Sequence, residues 1–190
     1  MDACRPASSD EKATMKRILV VGTSGAGKST LAQRVSTSLG LPFVASDHFY
    51  WEPGWKVASS EKVHEHLTDV VGQEAWVLDG NFDNERAFVW CRADCIIWLD
   101  YSLMTICRRI VFRNILWVIT QQPVWSGNRM TLQRAFSGLL HAVKSYRVKR
   151  RNYPQWLAEL SDIPSFRFRT SREAEAWLQC LNQPHLRKSA

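Results

Sequence analysis

Apolar and polar positions along the 190-residue chain alternate in blocks that predict short buried strands separated by helices. Lys16 to Val21 (KRILVV) reads as a first strand, and Ser29 to Leu39 as a helix ended by Gly40. Pro42 to Ala45 is a brief second strand. Ser60 to Gly72 has helical spacing, with Ser60 as its cap and Val63, Leu67, Val70 and Val71 on one face. Ala75 to Leu78 and Cys95 to Leu99 are unbroken apolar runs, the form taken by strands buried on both faces. Ser102 to Ile119 and Thr131 to Arg151 read as helices joined by a turn-rich stretch, Gln121 to Asn128. Phe166 to Arg169 is a last strand and Ser171 to Cys180 a last helix. Strands alternating with helices imply an α/β domain with a parallel sheet covered on both faces.

One segment between the first strand and the first helix carries chemistry. Gly22-Thr23-Ser24-Gly25-Ala26-Gly27-Lys28-Ser29-Thr30 matches G-x-x-x-x-G-K-[ST], the phosphate-binding loop. Glycines there allow torsions closed to other residues, so that consecutive N–H groups turn inward around an anion. The helix that follows adds the positive end of its dipole. Lys28 then supplies a point charge to the β- and γ-phosphates of ATP, and the Ser29 hydroxyl a ligand to Mg²⁺. Two strand-end carboxylates compete for the other magnesium contact. Asp79 closes WVLDGN and Asp100 closes CIIWLDY. Asp79 is favoured, because Gly80-Asn81 makes a tight turn after it, whereas Asp100 suits a helix cap.

Composition narrows the picture further. Hydrophobic residues form 45% and charged residues 23% of the chain, ordinary globular usage that excludes general disorder. No apolar stretch approaches the ~20 residues of a membrane span. Met1 to Thr14 has no apolar core of a signal peptide. The expectation is a cytoplasmic protein without a membrane partner, monomer or dimer. It has one domain over 16–183, a disordered tail at 1–15 and a short tail at 184–190. The five cysteines follow no zinc or redox spacing and read as reduced thiols.

The formal charge of +7 is local. No acidic residue lies between Asp100 and Glu159, an interval holding ten cations, among them Arg109, Arg113, Arg147, Arg150 and Arg151. Such a segment repels itself unless a polyanion sits in it, and a nucleoside triphosphate or nucleic acid would serve. Arg109 and Arg113, four apart, share a helix face and reach one ligand. Arg147, Arg150 and Arg151 are candidates to close from the other side, the whole forming an open, mobile lid without ligand. Asp47, after the second strand, is a candidate to orient or deprotonate an acceptor hydroxyl, its alternative being an Asx turn. Trp51 and Trp55 are candidates to stack on an acceptor, or else core residues of a helix-like turn. His64 and His66, two apart on a helix, point to different faces and do not chelate a metal together.

The succession GTSGAGKSTLA, LPFVASDHFYWEPGW, WVLDGNFDNER, ADCIIWLD and RRIVFR resembles adenylate-kinase-like P-loop proteins, most closely the DNA topology modulation (FlaR-like) group. The resemblance runs from about Lys16 to about Leu178. It implies a nucleoside-monophosphate-kinase fold: five parallel strands, a substrate segment at about 46–74 and an arginine-bearing lid at about 105–151. Asp79-Gly80 matches the DG pair that ends the third strand in such kinases, and Arg109/Arg113 the R-x-x-x-R pair that opens the lid. Gly80, Asn81 and Arg86 then face the acceptor, and Thr170-Ser171-Arg172 the adenine. The departure of DGNFDNER from the adenylate kinase form argues against AMP as acceptor. The reading is an ATP- and Mg²⁺-dependent kinase of a small molecule or nucleotide. A nucleic-acid-associated ATPase is the alternative.

Overall fold

Each apolar run becomes a strand that offers side chains to two faces at once. In β1 (Arg17–Gly22), Ile18 and Val20 enter one core and Leu19 and Val21 the other, none of them exposed. A computed structural model of the chain describes residues Met15 to Asn182. The expected tails and Cys4 lie outside the described residues, except Met15, which belongs to the core rather than to a tail.

After β1 come β2 (Phe43–Ala45), a two-stranded hairpin of β3 (Trp51–Glu52) and β4 (Lys56–Val57), then β5 (Trp76–Asp79), β6 (Cys95–Leu99) and β7 (Ser165–Phe168). Five of them form one parallel sheet in the order β2-β5-β1-β6-β7. One face is covered by α1 (Lys28–Leu39), through Leu31, Ala32 and Val35, and by the chain's last described helix, Ser171–Asn182, through Trp177, Leu178 and Leu181. Leu67, Val70 and Val71 of helix Ser60–Val71 pack on the other face with Trp90 and Tyr153. Counting also the short helices Asp47–Tyr50 and Arg86–Val89, the α-helices in chain order are α1, α2 (Asp47–Tyr50), α3 (Ser60–Val71), α4 (Arg86–Val89), α5 (Leu103–Thr120), α6 (Leu132–Glu159) and α7 (Ser171–Asn182).

Three expectations are corrected. The cap of α3 is Ser59, whose hydroxyl accepts the Lys62 N–H at 3.3 Å, while Ser60 is already helical. Helix α6 runs eight residues beyond Arg151, to Glu159, with Pro154 inside it. An interior proline costs about 3 kcal/mol. Burial of Tyr153 against Trp90 and Trp98, with Trp156 and Leu157 packed beside them, offsets that cost. The stretch holding Trp51 and Trp55 is a β-hairpin rather than a helix-like turn, with Trp51 paired to Val57 and Glu52 to Lys56.

Register assembles the site. Val20 and Ala45 both lie beside Asp79, and Gly22 beside Leu99. All strands run the same way, so Gly22, Ser46, Asp79 and Asp100 emerge at one carboxyl edge, where ligands of open α/β sheets bind.

Candidate active site

The phosphate loop is built by its glycines. Gly27, the N-terminal cap of α1, has φ 93°, a torsion that side chains rarely adopt. Its carbonyl accepts the Leu31 N–H at 3.0 Å, and the Ala26 N–H is bonded to the Thr23 carbonyl at 3.0 Å. Ser24, Gly25 and Gly27 are half-buried, and Ser29 and Thr30 are exposed in the first turn of α1. The Lys28 ammonium lies across the loop, 3.5 Å from the Thr23 carbonyl. Burial pulls its pKa below the ordinary value, Asp79 and Asp47 oppose that fall, and Lys149 and Arg113 add to it.

Asp79 is 2% exposed, and its Oδ1 accepts the Ser46 N–H at 2.9 Å. Its competitor Asp100 is otherwise engaged, by Arg167 at 2.5 Å and Arg150 at 3.4 Å. It caps no helix either, since Ser102 does that for α5. Among the described residues no three His, Cys, Asp or Glu side chains are grouped to hold a metal. A magnesium ion held by one hydroxyl, one carboxylate and the phosphates of a nucleotide needs no such group, and Ser29 with Asp79 fits that donor set.

Asp47 opens α2 just past β2. Among the described residues no backbone N–H donates to its carboxylate, so the Asx turn does not form, and the cation that acts most strongly on it is Lys28 of the loop. Burial lifts its pKa above the ordinary carboxylate range; Lys28 opposes the shift, Asp79 adds to it and Arg113 opposes it. Burial likewise lowers the Arg113 pKa, with Asp47 acting against the fall. The Arg113 Nε is buried without a hydrogen-bond partner, and its guanidinium rests 4.6 Å over the Trp117 ring. One turn earlier, Arg109 donates to the Ala26 carbonyl and to the Ser171 hydroxyl, both at 2.7 Å, and lies over Tyr101. The two arginines line one cleft of about 380 Å³ with Gly27, Thr30, Tyr101 and Ser171. Arg172 borders the adjoining depression beside Thr170 and Ser171.

Several expected site residues are turned elsewhere. Arg86 pairs with Glu159 at 2.9 Å and stacks over Trp156, so its charge is already committed. Asn81 accepts the Gly22 N–H at 2.9 Å through its side chain, and its carbonyl accepts the Trp90 Nε1–H at 3.0 Å. It ties the loop after β5 to the phosphate loop. Gly80 has φ 145°, and a Cβ there would lie 2.5 Å from the Phe82 ring and 2.8 Å from the Ser46 hydroxyl; its role is close approach of backbone. Arg147 and Arg151 are exposed on α6. The cation of that helix that turns inward is Lys149, 7% exposed, which donates to Asp83 at 2.7 Å and to the Tyr153 hydroxyl at 3.2 Å. Residues two apart on a helix lie on opposite sides, so an inward Lys149 forces Arg147 and Arg151 outward. The missed signal is the spacing of Ala142, Tyr146, Lys149 and Tyr153, a cation set on the apolar face. Arg150, expected across the lid, is bound to Asp100. His64 and His66 take separate partners, Glu85 and the Lys62 carbonyl.

The lid expectation is also revised. The stretch 121–131 is fastened to the β3–β4 hairpin. Asn128, 5% exposed, accepts the Trp55 N–H at 2.9 Å and donates to the Glu52 carbonyl at 3.0 Å. Ser126 donates to the Trp51 carbonyl at 2.5 Å and the Trp55 indole to the Arg129 carbonyl at 2.9 Å. Trp51, Trp55, Trp125 and Trp117 follow one another edge to face. Trp55 is therefore a joint between the hairpin and the 121–131 stretch, and Trp51 begins the same chain.

This sheet order, with a phosphate loop after its first strand, is the P-loop kinase fold. Solved structures of that class are similar over most of the chain. Shikimate kinase from Acinetobacter baumannii in complex with shikimate has a TM-score of 0.56 at 16% identity, covering 94% of this chain and 97% of that one. Shikimate kinase from Bacteroides thetaiotaomicron has a TM-score of 0.54 at 18% identity, covering 88% and 97%. A gluconokinase from Sinorhizobium meliloti has a TM-score of 0.50 at 16% identity, covering 88% and 93%. No protein-family model and no curated protein sequence matches the chain.

Proposed function

We propose that the protein is an ATP-dependent phosphotransferase, moving the γ-phosphoryl group of Mg-ATP to a hydroxyl or phosphate acceptor on a small molecule or nucleotide. The observation that carries this reading is the gathering of Lys28, Asp47 and Arg113 beside the phosphate loop, where burial shifts all three and the Asp47 charge opposes the fall of both cations. Phosphoryl transfer is catalysed mainly by positioning and by charge held ready around the transferring group. The N–H groups from Ser24 to Thr30 would cradle the phosphates. Arg109, Ser171 and Arg172 would flank the nucleotide, and the unpaired Arg113 Nε would meet oxygen of the phosphoryl group or acceptor. Ser29 and Asp79 would hold magnesium, which when bound offsets negative charge on the β- and γ-phosphates. Asp47, with its raised pKa, suits a base. It would take the proton of an acceptor hydroxyl as that oxygen bonds to the γ-phosphorus and the bond to ADP breaks.

In this reading residues 46–74 serve the acceptor and 105–151 form the lid, in a single domain of a cytoplasmic enzyme. The resemblance to the FlaR-like group, together with exposed cations on α5 and α6, favours a second reading as a nucleic-acid-associated ATPase. ADP release measured over a panel of hydroxylated small acids, sugars and nucleotides separates the two. Small acids head the panel because similar structures carry the names of shikimate and gluconate kinases. Release stimulated by duplex DNA and by no acceptor would replace the first reading with the second.

A further inference from the structure

The helical hairpin of α5 and α6 has an outer surface that meets the candidate site only at Arg108, which also borders the depression beside Ser171 and Arg172. Asn114 of α5 donates to the Ala135 carbonyl of α6 at 3.2 Å, so the two helices run back along each other with the 121–131 turn at their tip. Along α5 one face carries Ile119, Ile115, Phe112 and then Arg108, spaced three and four apart. Along α6 one face carries Leu132, Phe136, Leu140 and then Lys144, Arg147 and Arg151. Both read the same way from the tip: apolar first, cationic after. The apolar part is open, with Leu132 76%, Ile119 74%, Phe112 73% and Phe136 64% exposed even while the tip is fastened to the β3–β4 hairpin. The cations Arg108, Lys144, Arg147 and Arg151 are exposed too. Exposed apolar side chains repeated in this way along both helices mark an interaction site.

We propose that this hairpin tip docks on an anionic lipid surface, its apolar end entering the headgroup–acyl boundary and its cations staying at the level of the headgroups. Charge chooses the occupant. No acidic residue lies between Asp100 and Glu159, so a second copy set against the same face brings cations against cations. Nucleic acid would satisfy the cations and leave the leucines, isoleucines and phenylalanines of the tip in water. An anionic bilayer takes both, and it takes them in this order of depth, apolar groups deeper and long cationic side chains at the interface. The docking is peripheral, since no described helix is long and apolar enough to cross a membrane. It departs from the expectation of no membrane partner, which rested on the search for spans.

Co-flotation of the full chain with phosphatidylcholine vesicles, with and without about a third phosphatidylglycerol, tests this. Binding is expected to the anionic vesicles alone, and to weaken at about 1 M salt, where screening acts within ~3 Å. Each cation near an anionic surface contributes about fivefold, so Arg108→Ser with Lys144→Ser should lower partitioning roughly 25-fold. Phe112→Ser with Ile119→Ser and Phe136→Ser should lower it at least ~10-fold, with ATP affinity kept because these side chains face solvent. Equal binding to neutral vesicles would overturn the proposal, as would no binding to either. A dimer in sedimentation that the apolar triple variant dissolves would overturn it in favour of a second copy. Duplex DNA capture that the triple variant leaves unchanged, without vesicle binding, would overturn it in favour of nucleic acid.

Discussion

Asp47 and Lys28 carry opposite charges in one desolvated place, and their shifts have consequences for both rate and stability. The Asp47 carboxyl is lifted by burial above its ordinary range. Folding therefore takes up a proton in the window between the unfolded and folded values, and the group's contribution to stability falls as pH rises through that window. Above it, the folded chain holds a charge that burial disfavours. Asp47→Asn is thus expected to raise the melting temperature at neutral pH, with a smaller gain near pH 4, while lowering turnover by ~10²-fold or more. Its removal should also abolish the acid limb of the rate profile, where activity falls as the carboxylate takes up a proton above the usual aspartate range. A destabilised Asn variant would assign Asp47 to the fold rather than to the chemistry. Lys28 is desolvated too, which lowers its pKa. Lys28→Ala should leave the fold intact and remove tight ATP binding in calorimetry, whereas Ser29→Ala should keep ATP binding and weaken its magnesium dependence. Unchanged affinity in the Lys28 variant would contradict the phosphate-cradle role.

At the scale of elements, the joint between the β3–β4 hairpin and the 121–131 turn is the part with most to lose. Trp55, Gln121 and Ser126 all have positive φ, near 60°, 50° and 56°, a conformation that non-glycine residues hold only when their surroundings impose it. Asn128 sits among them, bonded to Trp55, Glu52 and Trp125. Asn128→Ala removes these bonds and leaves half-buried partners unsatisfied, so a loss of about 1–3 kcal/mol is expected in chemical denaturation. A smaller loss would mean that the aromatic chain alone holds the joint. This element was the least legible in the sequence. Two-residue strands such as Trp51–Glu52 are too short to display alternation, and their pairing depends on contacts some seventy residues away, from Trp55 to Asn128 and Arg129. The long elements were legible because local pattern and tertiary burial agree. The phosphate loop lies between a strand that is apolar from Ile18 to Val21 and a helix, and β5 and β6 are buried on both faces. Side-chain direction is legible only where a periodic face is counted, and the expectation for Arg147 and Arg151 leaves uncounted the α6 face that turns Lys149 inward and those two outward. For Arg86, whose partner Glu159 is distant in sequence, no local pattern existed to count.

Over the whole molecule, the acid-free interval divides into three groups of cations. Arg109, Arg113 and Lys149 turn inward toward the phosphate loop and its neighbours, Arg150 is held by Asp100, and the remaining six stand on the outer surface of α5, α6 and their connection. In the proposed function the inward group bears on the nucleotide, with Arg108 at the rim of the depression beside Ser171 and Arg172. Bringing these cations close to Lys28 without an anion is unfavourable, and a bound triphosphate with about four negative charges, less the two of Mg²⁺, removes that cost. Closure over the ligand would also expel water and strengthen each remaining contact. Because the tip of the α5–α6 hairpin is bonded to β3 and to Trp55 in the turn after it, it is not free to move alone, so the body that closes is the tip and the β-hairpin together. Hydrogen exchange should therefore report one cooperative unit. Amides of 51–57 and 121–131 should open with the same free energy without ligand and gain protection together when a non-hydrolysable ATP analogue and magnesium are added. Asn128→Ala should uncouple the two segments while Lys28→Ala should abolish the gain in both. Binding at a hundred times the dissociation constant adds about 2.7 kcal/mol to stability. At ~2–4 °C per kcal/mol for a chain of this size, the parent should melt roughly 5–11 °C higher with the analogue. The nucleic-acid reading expects the reverse order: protection on the outer faces of α5 and α6 with duplex DNA, steep in salt and indifferent to the analogue. Exchange measured with each ligand in turn decides between them. Protection of 51–57 and 121–131 by DNA alone would remove the lid, and with it the role of Arg113 in phosphoryl transfer.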